Sequence, residues 1–131
     1  MNEELLELAR YRLEKARNDN DSSRVLFDNK MYAQSANRSY YAMFHAARGL
    51  LALNRFDSKK HSGVISYFNK NYIKTGLIQE EYGQMLVIAE KVRIKSDYDD
   101  FYIADRETAG IQLGNSTRFV KRIEEYINTI D

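Results

Sequence analysis

The chain has 131 residues, a formal net charge of +1, 44% hydrophobic residues, and neither cysteine nor proline. Its length suits one domain spanning residues 1–131, and the small net charge gives no overall attraction to nucleic acid. The lack of cysteine excludes disulfides and thiolate metal sites and fits a cytoplasmic location, and no apolar run approaches the roughly 20 residues that a membrane span needs.

The first predicted helix extends from about Glu3 to Asp28, where small and aliphatic residues recur at helical spacing. The recurring residues are Leu6, Ala9, Leu13 and Ala16. The polar run at 18–23 is a poor helix sequence, because short polar side chains compete for backbone hydrogen bonds. We therefore expect this run to be the place where the helix could bend or break.

The second predicted helix extends from about Tyr32 to Leu53 and carries one apolar stripe. The stripe consists of Ala36, Tyr40, Met43, Phe44, Ala47 and Leu51. A loop at 54–57 then leads into a third helix, which Gly76 is expected to end.

Two further helices complete the predicted fold, one from about Gln79 to Ser96 and one that begins near Asp105. The acidic stretch 97–105 is predicted to form the loop between them. Short connections between long amphipathic helices predict an all-α, antiparallel, up-and-down bundle of four to five helices. The side chains expected in its core are those of Tyr40, Phe44, Ala47, Leu51, Phe68, Leu86, Ile123 and Ile127.

Arg38 and His45 are the residues of the second helix that suggest chemistry. They are seven residues apart, which is about 20° short of two helical turns, so both lie on one face with Cα atoms roughly 10 Å apart. Arginine pairs with phosphate oxygens and histidine exchanges protons near neutral pH. The pair would suit a metal-independent attack on an RNA phosphodiester by the adjacent 2′-hydroxyl. The ordinary alternative is a surface arginine beside a partly buried, hydrogen-bonded histidine.

Small residues surround Arg38 and His45 on the helix surface, where long charged side chains would be usual. These residues are Ser39, Ala42, Ala46 and Gly49. Because small residues permit close approach of helices, we expect a second packing partner on this face. It could be another helix of the bundle or the same helix of a second subunit. A twofold homodimer would bring two Arg38–His45 pairs together.

Charge is unevenly distributed along the chain. Segment 38–61 has a net charge of +4 and segment 97–107 a net charge of −4. Such segregation can create a local anion site, although two solvated faces that partly neutralise each other would show the same pattern. Lys60 and His61, at the start of the third helix, could hold an anion or form an ordinary exposed basic turn. Tyr41 could stack on a base, although aromatic residues at helical spacing more often belong to the core.

The sequence Tyr-Tyr-Ala-Met-Phe-His at 40–45, within segment 36–53, resembles the most recognisable helix of the HEPN family of helical-bundle proteins. The order of motifs is similar to that of small stand-alone prokaryotic HEPN proteins, over roughly residues 10–127. The further matching segments are 60–68, 74–76, Arg93 and Asp97-Tyr98.

HEPN ribonucleases carry an arginine followed, after four to six residues, by a histidine, and Arg38 and His45 enclose six residues. The resemblance therefore implies that these two residues are catalytic and that cleavage of RNA needs neither metal nor cofactor. It also implies a homodimer with a composite site in the cleft between subunits. A further implied partner is a minimal nucleotidyltransferase antitoxin. The residues expected to bind substrate are Ser39, Tyr41, Arg48, Lys60 and His61.

Three functions stay open at this stage. The leading hypothesis is a metal-independent endoribonuclease that forms the toxin half of a pair with a minimal nucleotidyltransferase. The first alternative is a non-catalytic nucleotide-binding or adaptor subunit that works with such a nucleotidyltransferase. The second is a dimerising structural protein without a ligand. Arg38 and His45 separate the first hypothesis from the others, because an adaptor needs neither residue type in that pairing.

Overall fold

The computed structural model describes residues 2–131, and all its regular elements are helical. A π-helical turn continues the third helix, and the predicted all-α bundle is confirmed. None of the helices in this range is long and apolar enough to cross a lipid bilayer. The helices are α1 (Glu3–Asp28), α2 (Tyr32–Ala52), α3 (His61–Phe68), the π-helical turn (Asn69–Ile73), α4 (Glu80–Tyr98) and α5 (Arg106–Ile130).

The polar run at 18–23 neither bends nor breaks α1, which is one continuous helix. Its short polar side chains find partners on other helices instead of competing for the backbone of α1. The Ser23 hydroxyl is fully buried and hydrogen-bonded to that of Ser39 on α2, at 2.7 Å. Asn20 exchanges hydrogen bonds with Ser116 on α5. Sequence-local propensity is therefore overridden by contacts that only the folded bundle supplies.

Helix α2 lies at the centre of the bundle and contacts each of the other four helices. Its apolar stripe is buried in the core, and burying such side chains contributes about 25 cal/mol per Å² of apolar surface. All eight side chains predicted in the core are buried, which confirms that part of the sequence interpretation. They are Tyr40, Phe44, Ala47, Leu51, Phe68, Leu86, Ile123 and Ile127.

The small-residue face of α2 packs against α1 of the same chain. Ala42 and Ala46 are fully buried there. A Cβ atom placed on Gly49 would lie 2.9 Å from the carbonyl oxygen of Ala9, so the two backbones approach too closely for a side chain. The second packing partner is thus another helix of the bundle. The other alternative, that this face meets a second subunit, is wrong, because α1 already covers the face.

The connection between α4 and α5 is the most exposed apolar part of the described chain. Phe101 is 96% exposed and Ile103 is 86% exposed. In the last turn of α4, which extends two residues into the predicted loop 97–105, Asp97 accepts a hydrogen bond from Asn37 of α2 at 2.9 Å and lies 3.8 Å from Arg93. The connection therefore begins close to Arg38, on the same side of the bundle.

Candidate functional site

Arg38 and His45 are linked through Asp19, a residue of α1 that the sequence interpretation did not include. One carboxylate oxygen of Asp19 lies 3.2 Å from Nη1 of Arg38, and the other lies 3.7 Å from Nε2 of His45. The first contact is a charge-assisted hydrogen bond, and the second is longer than a hydrogen bond. Arg38 and His45 thus face the same side of α2, as their spacing predicts, with a carboxylate between them.

The guanidinium of Arg38 is held from two further directions. Its Nε and Nη2 donate to Oδ1 of Asn37 at 3.0 and 2.8 Å. Its central carbon lies 4.8 Å from the centre of the Tyr41 ring, a cation–π arrangement. The side chain is still 37% exposed, so an anion can reach it from solvent.

His45 lies in a surrounding that keeps its imidazole neutral. Burial lowers its pKa to about 4, and the nearby cations Lys15, Arg48, Arg38 and Arg12 act in the same direction. Its Nδ1 is buried and has no hydrogen-bond partner among residues 2–131. An imidazole that is neutral at pH 7 can accept a proton, but a pKa near 4 makes it a weak base, and the negative charge of a bound phosphate would have to raise that pKa for efficient general-base action.

Asp19 also titrates unusually. Burial raises its pKa, although the charges of Arg38 and Lys15 oppose the rise. The carboxylate of Asp19 therefore binds a proton more readily than the carboxylate of an exposed aspartate paired with the same cations would.

A cavity of approximately 630 Å³ opens beside His45. It combines aromatic rings with basic groups, a composition suited to stacking a base and binding a phosphate. Arg48 forms a two-point ion pair with Asp57 at its edge, with contacts of 2.8 to 3.2 Å. The residues that line the cavity are Tyr41, Phe44, His45, Arg48, Asp57, Ser58, Lys59 and His61.

His61, the first residue of α3, also lines this cavity. Its Nδ1 is hydrogen-bonded to the hydroxyl of Tyr40 at 2.8 Å, and its ring stacks on Phe44 with centroids 4.2 Å apart. Burial lowers the pKa of His61, Arg93 and Arg48 lower it further, and Glu90 opposes them.

The structure does not bring all the predicted site residues to one place. Tyr41, Arg48 and His61 line the cavity together with His45. Lys60 is exposed at the start of α3 and does not line the cavity, where Lys59 stands in its place. Arg38 lies outside the cavity too, on the side toward α4.

Ser39 does not contact the surface at all. It is fully buried, and its hydroxyl is 2.7 Å from that of Ser23. The prediction that Ser39 binds substrate is therefore wrong, because no ligand can reach a hydroxyl enclosed between α1 and α2.

Two residues of α1 that belong to the site were missed in the sequence. Asp19 contacts Arg38, and Arg12 donates to the carbonyl oxygen of Arg48 at 3.1 Å. Both lie three residues from a small residue of the buried face of α1, Asp19 after Ala16 and Arg12 after Ala9. Helical spacing alone could have placed them at the edge of that face.

Among residues 2–131, no group of three or more His, Asp or Glu side chains is placed to hold a metal ion.

The sequence matches the family model of the HEPN domain over residues 9–126. A Methanocaldococcus jannaschii protein named as a "putative toxin" is 32% identical over 99% of this chain and 96% of its own length. A Gloeobacter violaceus protein is 35% identical over 88% of this chain and 92% of its own length.

Two solved structures share the fold. The crystal structure of a Thermus thermophilus protein superposes with a TM-score of 0.76 at 19% identity, covering 90% of this chain and 97% of that one. An archaeal HEPN homologue superposes with a TM-score of 0.69 at 16% identity, covering 91% of this chain and 97% of its own. With the family model matching residues 9–126 and a relative 32% identical along nearly its whole length, the chain belongs to the HEPN domain family.

Proposed function

We propose that this protein is a metal-independent endoribonuclease and the toxin half of a toxin–antitoxin pair whose other half is a minimal nucleotidyltransferase. The observation that carries the proposal is the placement of Arg38 and His45 on one face of α2, linked by Asp19, beside a basic and aromatic cavity. The name "putative toxin" of two relatives supports the same assignment.

The proposed reaction uses the two side chains in different roles. His45 is neutral at pH 7 and takes the proton from the 2′-hydroxyl that attacks phosphorus. Arg38 keeps its positive charge and stabilises the negative charge that develops on the phosphate oxygens. Before that, the phosphate must compete with Asp19 for Arg38, since the carboxylate occupies the place of an anion.

RNA binding would draw on the basic residues around the cavity. Arg48 and Lys59 line it, and Tyr41 offers a ring face on which a base can stack. Because phosphate contacts release counterions, binding should weaken steeply as salt is added.

A homodimer belongs to the same proposal. The small-residue face of α2 is closed by α1, so a second subunit must meet another surface. The exposed apolar side chains of Tyr98, Phe101 and Ile103 lie at and beyond the end of α4 and are suited to be covered in this way.

The test is incubation of the purified protein with cellular RNA in the presence of a chelator. Cleavage should leave 2′,3′-cyclic phosphate ends and should spare DNA, which lacks the attacking hydroxyl. His45→Ala should lower the rate by about 10²- to 10⁴-fold, the usual contribution of a general base, and Arg38→Ala should act similarly. Cleavage that persists in His45→Ala, or that stops when the chelator is added, would contradict the mechanism. Coexpression with a candidate nucleotidyltransferase should relieve any growth arrest.

One observation favours the non-catalytic alternative, an adaptor or nucleotide-binding subunit of a nucleotidyltransferase. Asp19 and Asn37 already satisfy the guanidinium of Arg38, so the arginine can be explained by structure alone. A wild-type protein that binds nucleotides or the nucleotidyltransferase but cleaves no RNA would establish this alternative.

A further inference from the structure

We infer that His61 is a second catalytic residue of this site and protonates the 5′-oxygen that leaves when RNA is cleaved. The inference rests on the proposed ribonuclease function. It arises from a gap in that mechanism, because the leaving 5′-oxygen needs a proton while His45, as a base, only accepts one.

The cavity brings the two histidines of the chain to one place. Both line it, and the ring of Phe44 is close to each, at centroid distances of 4.2 Å to His61 and 5.8 Å to His45. The centroid of the Tyr41 ring lies 5.7 Å from that of His61 and 6.0 Å from that of His45. In the proposed complex the phosphodiester lies in this cavity, each imidazole serves one of its two ester oxygens, and Arg38 reaches the phosphate from outside the cavity.

The orientation of His61 is fixed by a group that does not reach the cavity. Tyr40 is fully buried, and its hydroxyl is hydrogen-bonded to Nδ1 of His61. Burial raises the pKa of Tyr40, so the phenol stays protonated. Nε2 of His61 makes no hydrogen bond to residues 2–131 and is the nitrogen left for substrate. A ring nitrogen held by a third group in this way is the usual arrangement of a proton-transferring histidine. Tyr40 is accordingly a positioning residue.

The charges around the two histidines support different roles. Four cations lie near His45, and its one close carboxylate, Asp19, is paired with Arg38. His61 is faced by Arg93 and Glu90 from α4 and by Arg48 from α2, so a carboxylate partly offsets the cations. Burial and these cations still lower the pKa of His61, and the negative charge of a bound phosphate would raise it again toward the protonated form that an acid needs.

The step is balanced in atoms and protons. The 2′-oxygen gives its proton to His45 and forms a bond to phosphorus, while the bond from phosphorus to the 5′-oxygen breaks. The 5′-oxygen leaves with the electron pair and takes the proton from Nε2 of His61. The products are a 2′,3′-cyclic phosphate and a free 5′-hydroxyl, and both histidines return to their starting forms by exchange with water.

The test replaces the leaving oxygen by sulfur. A thiolate leaves without a proton, so RNA with a 5′-bridging sulfur needs no general acid. His61→Ala should cleave ordinary RNA about 10²- to 10⁴-fold more slowly than wild type, yet cleave the sulfur substrate within a few-fold of wild type. His45→Ala should stay impaired on both substrates. Tyr40→Phe keeps the shape of the buried ring but removes the hydroxyl that is hydrogen-bonded to His61. It should therefore shift the limb of the pH–rate profile that reflects the titration of His61.

Two results would overturn the inference. One is equal activity of His61→Ala and wild type on ordinary RNA, with the exposed Lys70→Ala variant as the matched control. The other is a loss in His61→Ala that the sulfur substrate fails to reduce, which would indicate a structural role. Either result leaves the ribonuclease proposal standing, since that depends on wild-type cleavage and on His45.

A binding measurement tests separately whether His45 and His61 both lie beside the bound RNA. An RNA oligonucleotide with 2′-O-methyl groups cannot be cleaved, and its binding can be followed by NMR of the two imidazole rings. We expect the resonances of both histidines to shift and the pKa of His61 to rise. A shift of His45 without any response of His61 would reject the role.

Discussion

Gly49 offers the sharpest test of how α1 and α2 pack. A Cβ atom at this position would lie 2.9 Å from the carbonyl oxygen of Ala9 and 3.3 Å from Cβ of Arg12. The first neighbour is backbone, so Gly49→Ala must push the two helices apart. Overpacking of this kind costs about 1–3 kcal/mol. The better helix propensity of alanine returns about 1 kcal/mol, so the net effect should be a loss of roughly 0–2 kcal/mol.

Gly114 supplies the matched control. It lies within α5, is exposed, and a Cβ atom placed on it would have no neighbouring atom within 4 Å. Gly114→Ala should therefore stabilise the protein by about 0.5–1 kcal/mol, through helix propensity alone.

The assay is urea denaturation followed by circular dichroism, with the free energy of unfolding compared between the two variants. We expect Gly49→Ala to be less stable than Gly114→Ala by about 1–3 kcal/mol, with similar denaturant slopes. Equal stabilisation by both substitutions would refute the reasoning, since it would mean that α1 can move away from α2 at no cost.

Three further predictions concern titration, burial and capping. The free energy of unfolding should fall as the pH drops from about 6.5 to about 4, because His45 binds a proton in the unfolded chain at a higher pH than it does in the folded one. In denaturation measured at several pH values, His45→Gln should lose that part of the pH dependence. Ala46→Glu should prevent folding, seen as loss of helical circular dichroism, because it buries an unpaired charge between α1 and α2; a folded monomer would contradict this. Asp105→Ala should lower the midpoint of urea denaturation, since the carboxylate of Asp105 accepts a hydrogen bond from the backbone N–H of Thr108 at the start of α5, and Asp105→Asn should keep the midpoint close to that of the wild type.

The helical periodicity of the sequence was sufficient to predict the fold. Side chains at helical spacing such as Phe119 and Ile123 became the core, because burial of apolar surface is what fixes a helix in a bundle. The polar run at 18–23 was harder to interpret. Its hydroxyl and amide groups are satisfied by residues up to 96 positions away in the chain, and no local rule contains that information.

The candidate site was predicted only in outline. The spacing of Arg38 and His45 determines that they share a face, since that follows from helix geometry alone. Small residues beside them indicate a close neighbour without identifying it, so α1 and a second subunit were equal possibilities. Asp19 was missed for the same reason, because its contact with Arg38 depends on how α1 is aligned along α2.

That alignment depends on the three buried hydroxyls of Ser23, Ser35 and Ser39, which are joined through Ser23 at distances of 2.7 to 3.0 Å. Ser23 is one helical turn after Asp19, and Ser39 directly follows Arg38. Sliding α1 along α2 by even one residue would bury these hydroxyls without partners and would at the same time withdraw the carboxylate from the guanidinium. Activation or inhibition of the site by such a sliding motion is therefore costly. Control should instead act through rotation of the Asp19 and Arg38 side chains, which needs no movement of the backbone.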